Sequence, residues 1–195
     1  MLYVEQSLGK GEEIVGIGEF HWMYTVQAVS WIVIGLLLAC GIIHGGVHLD
    51  VMTSVNKTFT NLPANLMAQA EGEVMKQKGG YIAVAKSLHP AIRAAAFGMF
   101  IFGLFMFARL MVIKATTEIC ITNKRLIYKQ GLIARHVGEM NVDRIEGVNV
   151  YQGIFGRLFG YGGVIVRGMG VGEVGLPQMR EPIAFRKAIE RSKTL

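Results

Sequence analysis

Charged residues and cysteines are scarce in this chain, and each shortage excludes a class of protein. Only 17% of its 195 residues are charged and 52% are hydrophobic, whereas a typical soluble domain is about 25% charged. A disordered chain and a purely soluble globular protein are therefore excluded. The two cysteines, Cys40 and Cys120, are too few for a disulfide framework and lack the paired spacing of a zinc site.

The charge that is present is distributed unevenly. The first 20 residues carry a net negative charge and the segment after residue 113 carries a net positive charge. The whole chain has a formal net charge of +6. A basic segment beside a membrane favours contact with anionic headgroups, although cytoplasmic faces of membrane proteins are commonly basic in any case. The residues predicted to contact headgroups are Arg109, Lys114, Lys124 and Arg125.

Two windows contain almost no charge and predict transmembrane helices at 21–43 and 91–113. As a helix the first window is about 33 Å long, enough to cross about 30 Å of hydrocarbon. Small residues at helical spacing let two such helices approach closely. The residues predicted to pack the two spans together are Gly35, Ala39, Ala94 and Gly98.

The segment 44–90 between the windows is too long for a simple turn and predicts an amphipathic helix at about 63–78. Pro63 suits its first turn and Gly79-Gly80 ends it. Its apolar face would seek lipid or a partner groove, and the residues predicted to dock on a partner are Leu66, Met67, Ala70 and Val74. His44, His48 and Asp50 are possible metal ligands, but a third clustered ligand is missing, so no resident metal is predicted.

From residue 116 onward the hydrophobic period changes from helical to alternating. Several short strands separated by glycine turns predict a compact antiparallel barrel or sandwich. A last helix from Pro182 to Lys193 has an apolar face that could cap the open end of the sheet. A helical turn at Ile154–Phe159 is predicted to cover the core with Ile154, Phe155, Leu158 and Phe159.

These C-terminal motifs resemble the bacterial pleckstrin-homology-like domain of small two-span membrane proteins. The resemblance lies in the ITNKRLIYKQGLI hairpin, the VDRIEGVNVYQGIFGRLFGYGGVIV stretch, the EPIAFRKAI helix and the N-terminal LGKGEEIV segment. It implies a bacterial inner-membrane protein with a cytoplasmic PH-like domain. The long 44–90 segment departs from the family, in which a short loop usually joins the spans.

The fold expected from these observations is an α+β membrane protein. Two transmembrane helices are followed by a PH-like antiparallel β-sandwich or barrel capped by one α-helix. The predicted organisation is an N-terminal cytoplasmic segment (1–20), a first span (21–43), an inter-span insert (44–90), a second span (91–113) and the PH-like domain (114–195). The counts of Lys and Arg near the spans barely decide the topology, but they favour cytoplasmic termini.

No motif predicts catalysis or a cofactor. Gly170–Gly175 matches GxGxxG in letters, but Leu176-Pro177 follows where a dinucleotide site needs a helix N-terminus. The interpretation is a non-catalytic membrane-anchored scaffold or accessory subunit. Its expected partners are membrane lipids and other integral membrane proteins or a second copy, with no nucleic acid and no small-molecule substrate. Two alternatives stay open, namely a lipid-contacting or membrane-stress module and an enzyme, channel or transporter component with its own site.

Overall fold

A computed structural model describes residues 2–59, 63–131, 136–170 and 172–194. The elements in chain order are helix α1 (Leu2–Ser7), strand β1 (Ile14–Gly18), helices α2 (Trp22–Thr58), α3 (Ala64–Gln77), α4 (Tyr81–Ser87) and α5 (Pro90–Thr116), strands β2 (Glu118–Thr122), β3 (Arg125–Gln130) and β4 (His136–Asn141), a 3-10 turn (Val142–Arg144), strand β5 (Ile145–Tyr151), helix α6 (Ile154–Phe159), strands β6 (Tyr161–Gly168) and β7 (Gly172–Arg180), and helix α7 (Pro182–Ser192).

Helices α2 and α5 are long and apolar enough to cross a membrane. They contain 37 and 27 residues with mean hydropathies of 2.3 and 2.2 in their most apolar windows. Only 11% of each window is buried, whereas the core helix of a soluble protein would be mostly buried. The two predicted spans are confirmed as parts of these helices, and α2 continues well past residue 43.

The chain divides into two compact units, one of Val29–Phe107 and one of Met1–Ala28 with Ala108–Leu195. In the first unit, the end of α2 forms a small helical core with α3 and α4. The buried members of this core are Val47, Val51, Val55, Ala70, Val74, Val84 and Leu88. The predicted amphipathic helix is confirmed as α3, which ends before Gly79-Gly80. The inter-span segment is therefore folded on the chain's own helix.

The second unit contains two antiparallel sheets, with strand orders β1-β2-β3-β4 and β5-β6-β7. Alternating side chains from both sheets form its core, because successive residues of a strand point to opposite faces. Among the buried members are Ile119, Ile121, Leu126, Val164, Val166, Met179, Phe185 and Ile189. The predicted antiparallel sheet domain, capped by a C-terminal helix, is confirmed.

Helix α7 packs on strands of both sheets, and β1 is the strand it contacts most extensively. Gly16 permits this approach, because a Cβ there would lie 2.8 Å from the Cβ of Ala188. Phe185 and Ile189 of α7 are buried in the core. The N-terminal segment that the sequence boundaries set apart thus supplies a strand to the C-terminal domain.

The glycine run at 170–175 leads into a strand. Residues from Gly172 onward form β7 and pair with β6, so a strand follows these glycines where a dinucleotide loop would need a helix N-terminus. Val171 lies outside the described residues. The sequence also predicts a strand at 135–140, and its first residue, Arg135, lies outside the described residues.

Candidate functional site

Helix α6 turns its large apolar side chains away from the sheet. Phe155, Leu158 and Phe159 were predicted to pack beneath the sheet, and this prediction is wrong. Ile154 is 86% exposed, Leu158 74% and Phe155 67%. The buried residue of α6 is Gly156, where a Cβ would lie 2.6 Å from the carbonyl oxygen of Tyr161. The close approach requires glycine on the inner face, so the bulky residues take the outer face.

The orientation of α6 is fixed by hydrogen bonds and by its C-terminal turn. The side-chain Nε2 of Gln152 donates to the carbonyl oxygen of Tyr161 at 3.1 Å and to that of Gly156 at 3.4 Å. Gly160 follows the helix with φ of 73°, a left-handed conformation that glycine adopts without steric cost. The apolar face is therefore presented outward by a constrained element.

An aromatic cluster places α6 beside the start of α2. The ring of Phe159 meets Trp22 edge-on, with centroids 6.0 Å apart. His21 bridges to the next strand, because its ring lies 5.3 Å from Trp22 and 5.2 Å from Tyr161. All four residues belong to the same compact unit. Since α2 begins at Trp22, α6 lies where the chain enters its first span.

Arg125, predicted to contact headgroups, is instead held inside the domain. Its guanidinium donates through Nε and Nη2 to the two carboxylate oxygens of Glu12, both at 3.0 Å. It also donates to Glu139 at 2.7 Å and to the carbonyl oxygen of Ser7 at 2.7 Å. A guanidinium with these four acceptors is already engaged inside the domain, and headgroup contact stays a prediction for Arg125.

The carboxylate of Glu12 is the buried partner of this ion pair, with a side chain only 2% exposed. Burial by itself would raise its pKa. Hydrogen bonds from Arg125, the backbone of Gly9 and the hydroxyl of Thr122 outweigh that effect and lower the pKa of Glu12 to about 2. The network ties the segment before the first span to β2 and β3. Sequence reasoning missed it because the partners are more than 100 residues apart.

The other three predicted headgroup residues differ in their surroundings. Lys114 donates to the hydroxyl of Thr25 at 2.6 Å and is thus fixed against the first helix. Lys124 is exposed and donates to the carbonyl oxygen of Lys10 at 2.9 Å. Arg109 is exposed on α5. Contact with headgroups stays a prediction for these residues.

The predicted docking face of α3 is used largely within the chain. Ala70 and Val74 are buried against the end of α2, and Met67 packs beside them. The prediction that they dock on a partner is corrected, because this face closes the helical core of the inter-span segment. Leu66 is 40% exposed, and docking stays a prediction for that residue alone.

The predicted small-residue packing between the spans is partly corrected. Gly35 is buried, and a Cβ there would lie 3.0 Å from the backbone of Gly103. Gly103 itself was missed. Gly98 has nothing within 4 Å of an added Cβ, Ala94 is exposed and Ala39 is half-buried. The contact on α5 follows the buried pair Ala96 and Gly103, whose spacing of seven residues was the available signal.

Strand β4 is an edge of the first sheet, and five of its six residues are exposed. Within the described residues no strand pairs with its outer side. The N–H of Val142 donates to the carbonyl oxygen of Lys124 at 2.9 Å, continuing the register in which Met140 pairs with Leu126. Hydrogen-bonded pairs alternate in an antiparallel ladder, so Val137 and Glu139 direct their backbone polar groups outward.

The possible metal ligands of the inter-span segment have other contacts. The Nδ1 of His44 lies 3.4 Å from the hydroxyl of Tyr81, and Asp50 forms an ion pair with Lys78. Over the described ranges no group of three His, Cys, Asp or Glu side chains is placed to hold a metal ion.

Comparison with known proteins gives one match. The family model described as bacterial PH domain matches residues 69–193. This match begins inside α3, so it includes part of the segment that the sequence resemblance treats as an insert. No curated protein and no solved structure shows significant similarity to the chain.

Proposed function

The chain belongs to the bacterial PH domain family, and from that premise we propose that it is a non-catalytic scaffold or accessory subunit that binds other integral membrane proteins. The observation that carries this proposal is the outer edge of β4. A free edge presents backbone N–H and C=O groups that can pair with an added strand. The expected mode of binding is therefore addition of an extended segment of a partner to this edge.

Three features of β4 support strand addition. Val137 and Glu139 offer outward backbone groups at alternate positions, which is the spacing an incoming strand needs. Gly138 lies between these two residues and carries no side chain that could cover their backbone groups. The strand is also held firmly on its inner side by six residue pairs with β3.

The proposed location is the bacterial inner membrane, with the PH-like domain in the cytoplasm. The two candidate spans support a membrane location, and the family supports a bacterial one. Both sheets then face the compartment in which extended cytoplasmic tails of other membrane proteins are found. A second copy of the chain is also a possible occupant of the edge.

The test is Val137→Pro in the full chain, with Val137→Thr as the matched control. Proline removes the outward N–H of residue 137, whereas threonine keeps both that N–H and a β-branched side chain. Each protein is purified in mild detergent, and the associated membrane proteins are quantified by mass spectrometry. Partners should be lost with Val137→Pro and retained with Val137→Thr, while amide exchange at Gly138 and Met140 stays slow. Equal recovery of partners with both variants, or wild-type protein that purifies alone, would contradict the proposal.

A further inference from the structure

Helix α6 has the reverse of the orientation expected for a helix on a soluble domain. Its three most exposed large hydrophobic residues are Ile154, Leu158 and Phe155, and its one buried residue is Gly156. Tyr151, at the end of β5, adds a further exposed aromatic ring at 59%. A contiguous apolar surface rimmed by polar residues on a soluble protein typically marks a binding surface.

Disorder does not explain this exposure, because the backbone of α6 is constrained on both sides. Gln152 holds its first turn, and the left-handed Gly160 ends it. The inner face cannot rotate to bury Phe155, since even a Cβ at Gly156 would collide with the carbonyl oxygen of Tyr161. The apolar side chains therefore have no place to go within the domain.

We infer that α6 inserts its apolar face into the headgroup and acyl boundary of the membrane leaflet at which α2 begins. The membrane is identified as the binding surface because the apolar face of α6 is continuous with the start of the first span. Trp22 begins α2 and touches Phe159 of α6, and tryptophan at the end of a span belongs at the membrane–water interface. The apolar face of α6 thus adjoins a residue that already lies at the lipid boundary.

The charges around α6 are those of an interfacial element. Arg157 is exposed on α6 itself and lines a cavity of about 610 Å³ together with Lys187 of α7. The acid Glu181 also lines this cavity, so the two cations outnumber one carboxylate there. An apolar face flanked by cations binds a surface that contains anionic lipid. Insertion at a second point, besides the spans, would fix the orientation of the domain against the bilayer.

Spin labels at the outer face of α6 test this inference in the full chain. Cys40 and Cys120 are replaced by alanine, and Leu158→Cys or Ile154→Cys is labelled and reconstituted into vesicles of phosphatidylethanolamine and phosphatidylglycerol. Met169→Cys is the matched control. Met169 is apolar and 58% exposed, but it lies beyond the other end of β6, about 25 Å along the strand.

Collision rates with oxygen and with a water-soluble nickel chelate distinguish lipid, water and protein. We expect the labels at 154 and 158 to collide more often with oxygen and less often with the nickel chelate than the label at 169 does. Their collision rates should correspond to a depth of about 5–10 Å below the headgroups, while the label at 169 stays accessible to nickel. Nickel access at 154 and 158 equal to that at 169 would overturn the inference. Shielding from both reagents would also overturn it, because it would indicate a protein contact. The nickel chelate is added before the vesicles are sealed, so that it is present on both sides of the membrane and reaches the domain in either orientation of the protein.

Discussion

At the scale of the residue, Glu12 is the side chain with the largest electrostatic consequence in the domain. It lies before the first span, and its carboxylate accepts hydrogen bonds from Arg125 and from Thr122 at 2.8 Å. Removing the charge of Glu12 would leave the guanidinium of Arg125 with Glu139 as its remaining carboxylate partner and would weaken a partly buried ion pair. This one acid therefore connects the stability of the domain to the presence of its N-terminal segment.

We predict that Glu12→Gln destabilises the domain by about 3 kcal/mol near neutral pH, which is the free energy that a pKa lowered from 4.5 to about 2 represents. Because the pKa is lower in the folded state, this stabilisation is present above about 4.5 and is lost as the pH falls toward about 2. Unfolding of the full chain in detergent, measured as a function of pH, should therefore be less pH-dependent in the variant.

The control for this experiment is Glu13→Gln, since Glu13 is the adjacent acid and is exposed. It should leave both the stability and its pH dependence close to wild type. Some pH dependence will remain in every variant, because the pKa of Glu118 is also lowered: burial raises it, but hydrogen bonds from Lys129 and the backbone of Val4 outweigh that effect. Equal losses for the two glutamine variants would contradict the assigned role of Glu12.

At the scale of the element, the two spans meet through glycine. A Cβ at Gly103 would lie 2.6 Å from the carbonyl oxygen of Trp31 and 3.0 Å from the Cα of Gly35. Both neighbours are backbone atoms, which cannot move aside as a flexible side chain can. Close backbone approach of this kind is a main source of helix association in lipid. The hydrophobic effect does not drive the helices together there, because lipid tails are as apolar as the helix surface.

We predict that Gly103→Ala weakens packing between α2 and α5, whereas Gly98→Ala on the same helix has little effect. The two substitutions add the same single methyl group, but Gly98 has nothing within 4 Å of that position. The measurement is the temperature at which the full chain aggregates in detergent. A lower temperature for Gly103→Ala alone is expected, and equal temperatures for the two variants would show that the spans do not pack through Gly103.

At the scale of the whole molecule, the domain is interrupted by the membrane hairpin. Strand β1 precedes α2, strand β2 follows α5, and the two pair in an antiparallel ladder from Ile14–Thr122 to Gly18–Ile119. Residues that pair as neighbouring strands lie on the same side of a membrane. The chain must therefore leave the membrane on the side where it entered, which fixes an even number of crossings.

We predict that residues 44–90 lie outside and both termini inside the cell. Serine 192, at first sight a convenient labelling site, is buried at 3% exposure, so Thr194→Cys and Glu73→Cys are the suitable probes because both positions are exposed. Each cysteine is introduced into protein that lacks the native cysteines. In intact cells, an impermeant thiol reagent should label position 73 and not 194. Both should be labelled after permeabilisation. Labelling of 194 alone would reverse the orientation, and labelling of both in intact cells would contradict two crossings.

Much of this architecture could be predicted from the sequence, because its signals are local. Composition predicts the spans, and helical periodicity between Pro63 and Gly79 predicts α3. Alternation predicts the strands, and the helical turn predicted at Ile154–Phe159 has the bounds of α6. Local patterns also placed the C-terminal helix, since Pro182 opens it and its apolar residues recur at helical spacing.

The candidate sites depended on contacts that only the tertiary structure decides. A six-residue helix that is apolar on most sides has no periodicity to choose its inner face, and the choice follows from the close approach of Gly156 to Tyr161. Arg125 looked free for headgroups because its partner, Glu12, lies beyond two membrane spans in the sequence. The edge position of β4 likewise depends on the order of strands in the sheet. Composition and periodicity therefore determined which elements form, whereas packing between distant residues determined which surfaces remain available.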